Sequence, residues 1–166
     1  MNAPADWDRL WAPHRLPYLL GEDKSDRCVF CISDLPPTKD DLVVARGSHC
    51  FVVMNLYPYN SGHLLVCPYR HVADLTELTE AESAELHLLT KQAMIALRQV
   101  SAAQGFNVGM NQGAISGAGI ADHLHQHIVP RWQGDTNFMP VIGGTKVLAQ
   151  LLTDLRDLLV SAWPNA

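Results

Sequence analysis

Leu42-Val-Val-Ala-Arg46, Cys50-Phe-Val-Val-Met-Asn-Leu56 and His63-Leu-Leu-Val-Cys-Pro68 follow one another with only Gly47-Ser48 and a loop of Pro58, Asn60, Ser61 and Gly62 between them. Runs of apolar and β-branched residues bounded by such turn residues read as strands. Consecutive strands without helical crossovers pair antiparallel, because a parallel connection needs a dozen residues or more. Downstream, Thr79-Glu80-Ala81-Glu82 has the form of a capping box opening a helix. Leu86, Leu89, Ala93, Leu97 and Val100 give that helix a core-facing stripe at spacings of three and four, and Gly105 ends it. Strands follow at Phe106 to Met110 and Leu124 to Pro130, separated by the Gly-rich loop Gly113 to Gly119. A last helix is expected from about Lys146 to Trp163, with Val147, Leu151, Leu155 and Leu158 on one side. The expected fold is α+β, an antiparallel sheet of about five strands with helices packed on it. The 166 residues suit one domain, 1–166, that includes a short cysteine segment at 28–31 and the C-terminal helix at about 146–163.

Composition narrows the function. Acidic residues outnumber basic ones, 17 to 12, for a formal charge of −5, and no basic run appears. A nucleic-acid polymer is therefore not the expected partner, since binding it requires a dense array of Lys and Arg. A small anionic ligand remains compatible, because backbone amides and a few side chains can hold it. No apolar run approaches the roughly 20 residues of a membrane span, and Met1 to Arg9 lacks the pattern of a secretion signal. The expected location is cytoplasmic, without membrane attachment. Of the four cysteines, Cys50 and Cys67 sit inside apolar strands and read as buried thiols. Cys28 and Cys31 form a C-x-x-C pair, for which metal binding or redox chemistry is favoured over a disulfide.

The chemistry concentrates in His123-Leu124-His125-Gln126-His127. On a strand, residues at i, i+2 and i+4 share a face and stand about 6.5–7 Å apart, so the reading places three imidazoles together. Leu124, Gln126 and Ile128 then point the other way. Such a row suits two chemistries: metal ligation, or nucleophilic catalysis in which one ring attacks and a neighbour transfers or orients a proton.

The run His123-Leu-His-Gln-His-Ile-Val-Pro130, preceded by Gly62-His63-Leu-Leu-Val66, resembles the histidine-triad superfamily of nucleotide hydrolases and transferases. Further stretches are similar to its bacterial diadenosine tetraphosphate phosphorylase branch: Leu10 to Arg15, Asn55 to Asn60, Gly105 to Gly109, Val129 to Trp132 and Ile142 to Lys146. The resemblance implies that His125 is the nucleophile attacking the α-phosphorus, that His127 helps the leaving group, and that His63 supports the imidazole network. It places Asn55 at a ribose-binding position and Asn111 at a phosphate-contacting one. Many relatives carry Ala-Gly-Gln before the triad, whereas this chain has Ser116-Gly117-Ala118-Gly119-Ile120. The backbone amides of that loop, through Gly119, and the Ser116 hydroxyl are the expected substitutes at this departure. Arg131, Lys146 and Arg70 are candidate cations for a polyphosphate. Zinc-containing branches hold a structural zinc with a set matched here by Cys28, Cys31, His71 and His123. His14, His49 and His87 match no site position. The implied activity is cleavage of a dinucleoside polyphosphate through a nucleotidyl-histidine, with inorganic phosphate as the favoured acceptor, in an enzyme that forms homodimers. The alternative within the family is a hydrolase of dinucleoside polyphosphates or nucleoside phosphoramidates, with water as acceptor. The competing expectations are a zinc-stabilised domain that binds nucleotides without turnover, and a metalloenzyme using all three triad histidines as ligands.

Overall fold

The computed structural model describes residues 28–32, 41–136, 142 and 150–164. By contacts the chain divides into two compact units, Ser25–Gln133 with Leu148–Ala166 and Met1–Lys24 with Gly134–Val147. Among the described residues, the larger unit carries one five-stranded sheet and two α-helices. Its strands are β1 (Val43–Arg46), β2 (Cys50–Met54) and β3 (Leu64–Pro68), then helix α1 (Glu80–Ser101), β4 (Gly105–Met110), β5 (Gln126–Arg131) and helix α2 (Leu152–Ser161). The five strands lie in the order β1-β2-β3-β5-β4 and every neighbouring pair is antiparallel. The expected fold class is thus the observed one.

Side-chain alternation divides the sheet into two faces. Cys50, Val52 and Met54 of β2, Leu64 and Val66 of β3 and Ile128 of β5 pack on Leu86, Leu89, Ala93 and Leu97 of α1 and on Leu155 and Leu159 of α2. Phe51, Leu65 and Cys67 point to the opposite face and are covered there by Phe30. β3 is therefore buried on both sides, which is why its sequence is an unbroken apolar run rather than an alternating one. Each leucine or isoleucine taken wholly out of water in this way contributes roughly 1.5–3 kcal/mol.

Thr79 caps α1 in both directions of the box. Its hydroxyl accepts from the Glu82 amide at 3.2 Å, and the Glu82 carboxylate accepts from the Thr79 amide at 2.8 Å. The anticipated stripe is buried, with Ala96 added and Val100 at its margin. The C-terminal helix differs from expectation. It starts at Leu152, and its buried residues are Leu155 and Leu159, whereas Leu151 precedes the first turn and Leu158 is exposed. Val147 and the expected start at Lys146 lie outside the described residues, as does the proposed short helix near Asp6 to Ala12.

Gly62 shows how the loop before β3 is shaped. Its φ of +77° is a backbone conformation that side chains disfavour, and a Cβ there would stand 2.9 Å from Leu97 Cδ2. Only glycine lets the chain come this close to α1 and then deliver His63 into the sheet.

Candidate active site and metal centre

Cys28, Cys31, His71 and His123 converge on one point, their ligand atoms all within 4.8 Å of one another. Nδ1 of His123 is 3.4 Å from Cys28 Sγ and 3.8 Å from Cys31 Sγ, and Nδ1 of His71 is 3.3 Å from Cys31 Sγ. Tetrahedral zinc with ordinary bond lengths sets sulfur and nitrogen about 3.5 Å apart, so the four residues fit that ion in donor type and spacing. His123 meets a further requirement: its Nε2–H donates to the Pro68 carbonyl at 2.9 Å, which leaves the lone pair on Nδ1, toward the thiols. Burial lowers its pKa below the usual histidine value, again favouring the neutral ligand form. A closed set of four leaves no position for substrate, which is a structural arrangement.

The strand reading of the triad needs one correction. β5 begins at Gln126, and His123 and His125 precede it. The Leu124 amide pairs with the Val72 carbonyl at 2.6 Å rather than with a ladder partner. The chain before β5 is thereby turned aside toward the cysteine segment, which lets His123 join the cluster while His125 and His127 stay together, ring centroids 5.0 Å apart. The opposite-side assignment holds for Gln126 and Ile128. Gln126 Nε2 donates to Thr90 Oγ1 of α1 at 2.6 Å, and Ile128 is in the core.

Hydrogen bonds assign the protons. His125 Nδ1–H donates to the His123 carbonyl at 2.8 Å, so its Nε2 carries the lone pair. His125 is buried, and that burial holds its pKa below the ordinary value and keeps the ring neutral. Phe30 lies against it at 5.2 Å between centroids and also touches His123 at 5.6 Å. His63, wholly buried, stands 2.9 Å from His127 through its Nε2 and His127 Nδ1. Tyr59 stacks on His127 at 5.6 Å and lies tilted against His63 at 4.7 Å between centroids. Next to His127 on β4 is Gly109, where a Cβ would meet nothing within 4 Å. The strand beside the histidines thus leaves space for a ligand.

The remaining expected residues divide. Asn111 is one position beyond the Met110–Gln126 pair, so the register continues it to a place across from His125. Asn55 holds His63 with its amide, Nδ2 to Nδ1 at 3.2 Å. Ser116 is exposed in a short 3-10 turn and its hydroxyl donates to the Gly113 carbonyl at 2.8 Å; Gly119 is exposed in the same loop. Arg131 shares the face of His127 but lies four residues along β5, bonded to Asn107 at 2.8 Å. Arg70 is committed to a bidentate pair with Glu82, 2.7 and 2.9 Å, and to the Glu77 carbonyl. Lys146 and His14 lie outside the described residues, and His49 and His87 are exposed and away from both clusters. Cys50 and Cys67 are free, buried thiols, as read from the sequence. Two contributors were not read from the sequence. One is Phe30, between the two cysteines; the other is Asn60, which the sequence places in the loop before β3. Asn60 is in fact buried and donates to the Pro130 carbonyl at 2.9 Å, tying the loop to β5. An asparagine beside Ser-Gly gives no sign of such a distant partner.

Comparison with known proteins agrees with this geometry. A protein of Mycobacterium tuberculosis named AP-4-A phosphorylase is 47% identical over 163 residues, covering 93% of this chain and 84% of that protein. The crystal structure of a zinc-bound histidine triad family protein from Mycobacterium smegmatis superposes with a TM-score of 0.66 at 25% identity, covering 84% of this chain and 94% of the other. A hypothetical histidine triad nucleotide-binding protein of Sulfolobus tokodaii gives the same TM-score, 0.66, at 25% identity, over 81% of this chain and 91% of that one. Residues 37–134 match the HIT domain family, and the chain belongs to it.

Proposed function

We propose that the protein cleaves a dinucleoside polyphosphate of the diadenosine tetraphosphate type in two nucleotidyl transfers through His125, with inorganic phosphate as the final acceptor. The observation that carries the reading is the bond from His125 Nδ1–H to the His123 carbonyl, which presents the Nε2 lone pair of a buried, neutral imidazole. In the first step an N–P bond forms between Nε2 and the α-phosphorus. The P–O bond to the rest of the chain breaks, and its electron pair leaves with the nucleoside polyphosphate. His127, ring against ring with His125, is placed to hydrogen-bond that departing oxygen. The nucleotidylated ring keeps its Nδ1 proton and is cationic, stabilised by the His123 carbonyl and easily displaced. In the second step a phosphate oxygen attacks the same phosphorus and the N–P bond breaks, restoring His125. Space beside Gly109, Asn111 across from His125, and the Gly113–Gly119 loop with Ser116 are the surroundings assigned to the phosphates, with Arg131 as a cation further along β5. Lys146, the other candidate cation, lies outside the described residues. The 47% identity to a protein named AP-4-A phosphorylase supports both substrate and acceptor.

In the same reading, Cys28, Cys31, His71 and His123 hold a structural zinc that fixes the segment leading into β5, within a single functional domain. The protein acts in the cytoplasm, where unpaired thiols persist. Among the described residues no helix is long and apolar enough to cross a membrane. It forms a homodimer. β4 is an edge strand with Val108 45% exposed, the kind of edge that a second copy can cover.

Product analysis decides the reaction. Diadenosine tetraphosphate with phosphate is expected to give ADP and ATP, and His125→Ala to lower the rate by about a thousandfold or more while keeping the fold. AMP and ATP formed without phosphate would identify a hydrolase instead. Nucleotide binding that leaves the substrate intact in the wild type would identify a binding domain.

A further inference from the structure

We propose that Asn55 is a positioning residue: together with the Tyr59 amide it fixes the proton of His63, and through His63 it fixes which nitrogen of His127 carries hydrogen. The inference rests on the covalent reading of His125 and deepens it. Two backbone donors make the assignment unambiguous. The Tyr57 N–H points at the Asn55 side chain at 3.0 Å and can only donate, so the amide oxygen is the atom facing it. The amide nitrogen must then be the atom 3.2 Å from His63 Nδ1. The Tyr59 N–H also approaches His63 Nδ1, at 3.0 Å. A nitrogen faced by two donors is the acceptor nitrogen of a neutral imidazole, and the His63 proton sits on Nε2. From there it donates to His127 Nδ1 at 2.9 Å, so His127 in turn carries its proton on Nε2, at the far side of the ring.

This chain of bonds has a catalytic consequence. A polyphosphate leaving group carries negative charge, and an N–H aimed at it stabilises the charge that develops as the P–O bond breaks. The opposite tautomer would aim a lone pair at the same oxygen. His127 alone does not select between them; the selection comes from the fixed amides of residues 57 and 59, relayed by Asn55 and His63. The side chain of Asn55 is thereby engaged at both ends, oxygen to Tyr57 and nitrogen to His63, which favours this role over a ribose contact. The loop is itself held, since the Asn55 amide bonds to the His63 carbonyl at 2.9 Å and the His63 amide to the Asn60 carbonyl at 3.1 Å.

Asn55→Asp tests the idea because it retains the shape and the oxygen that accepts from Tyr57, yet replaces the donor at His63 by an acceptor. The carboxylate then draws the proton of His63 to Nδ1, displacing the Tyr59 N–H from that nitrogen. In full-length protein, nitrogen-15 spectra of the histidine side chains are expected to show the Nε2–H tautomer for His63 and His127 in the wild type and a changed tautomer for both in Asn55→Asp. With diadenosine tetraphosphate and phosphate, kcat is expected to fall about 10- to 100-fold with KM within about threefold. A wild-type His63 protonated on Nδ1 overturns the proposal by itself, even if the variant does not fold. So does an Asn55→Asp protein with unchanged tautomers, or one whose KM rises while kcat holds, the pattern of a lost ribose contact. The spectra do not depend on turnover. If His125→Ala remains active, the covalent reading fails whatever the tautomers are; if only the tautomers disagree, that reading stands without this one.

Discussion

At the scale of single residues, much of the structure is held by polar groups whose partners lie far away in sequence. Glu85, on α1, accepts from the backbone amides of Ser48, His49 and Cys50 at 2.8, 2.5 and 2.6 Å and so closes the β1–β2 turn. Burial pushes its pKa up, but the three amides outweigh that and hold it below the ordinary carboxylate value. The same contact explains Gly47, where a Cβ would stand 2.6 Å from the Glu85 carboxyl carbon. Glu85→Gln should therefore cost about 1–2 kcal/mol in urea unfolding with an unchanged denaturant slope, because an amide cannot accept with both ends. A loss near zero would mean that water replaces the carboxylate at that turn. The sequence announced the turn through Gly47-Ser48 but gave no sign of Glu85, which lies some 35 residues on.

At the scale of elements, the helix start was the most legible feature, since a capping box is local and the residues that make it, Thr79 and Glu82, are three apart. Its environment was not. Glu82 is also the partner of Arg70, which leaves that arginine with a structural task instead of the phosphate contact considered for it. Arg70 first, with the Thr79 amide and hydroxyl, brings the Glu82 pKa from 4.5 down to about 2 against an opposing effect of burial. A carboxylate depressed in the folded state stabilises above its unfolded pKa, and that stability is lost as pH falls through the folded one. With Arg70 half exposed and solvent screening the pair, the contribution is about 2 kcal/mol. Stability against thermal unfolding should fall from about pH 4.5 down to about pH 2, and Glu82→Gln should be less stable at neutral pH while losing less over that window. An identical acid profile in the variant would assign the loss to other carboxylates. The C-terminal helix was less legible than α1. Its leucines satisfy two overlapping periodicities, 151-155-158 and 152-155-159, and only packing on the sheet chose the second.

At the scale of the whole sheet, the two faces have separate tasks: one packs on helices, the other carries the histidines and is covered by the cysteine segment through Phe30. If Cys28, Cys31, His71 and His123 hold the zinc proposed above, its removal should affect catalysis without touching substrate directly. Stripping the metal with a chelator is expected to expose Cys28 and Cys31 to alkylation, to loosen Phe30 from His125 and to lower turnover, with recovery when zinc is returned. Cys50 should stay unmodified throughout, since burial, with Glu85 and Glu82 nearby, pushes its thiol up to about 12. Unchanged turnover with both thiols alkylated would separate the metal from the active site. The sequence by itself determined the antiparallel α+β fold, because strand periodicity and capping are encoded over a few neighbours, and its resemblance to the histidine-triad family pointed to the membership and to the residues of both clusters. Tertiary structure alone decided that His123 leaves the strand for the cysteines and that His125 exposes Nε2. It also decided that Asn55 turns to His63. Each of those outcomes depends on a hydrogen bond or an apolar wall supplied by another strand, loop or segment, and no local pattern specifies the partner.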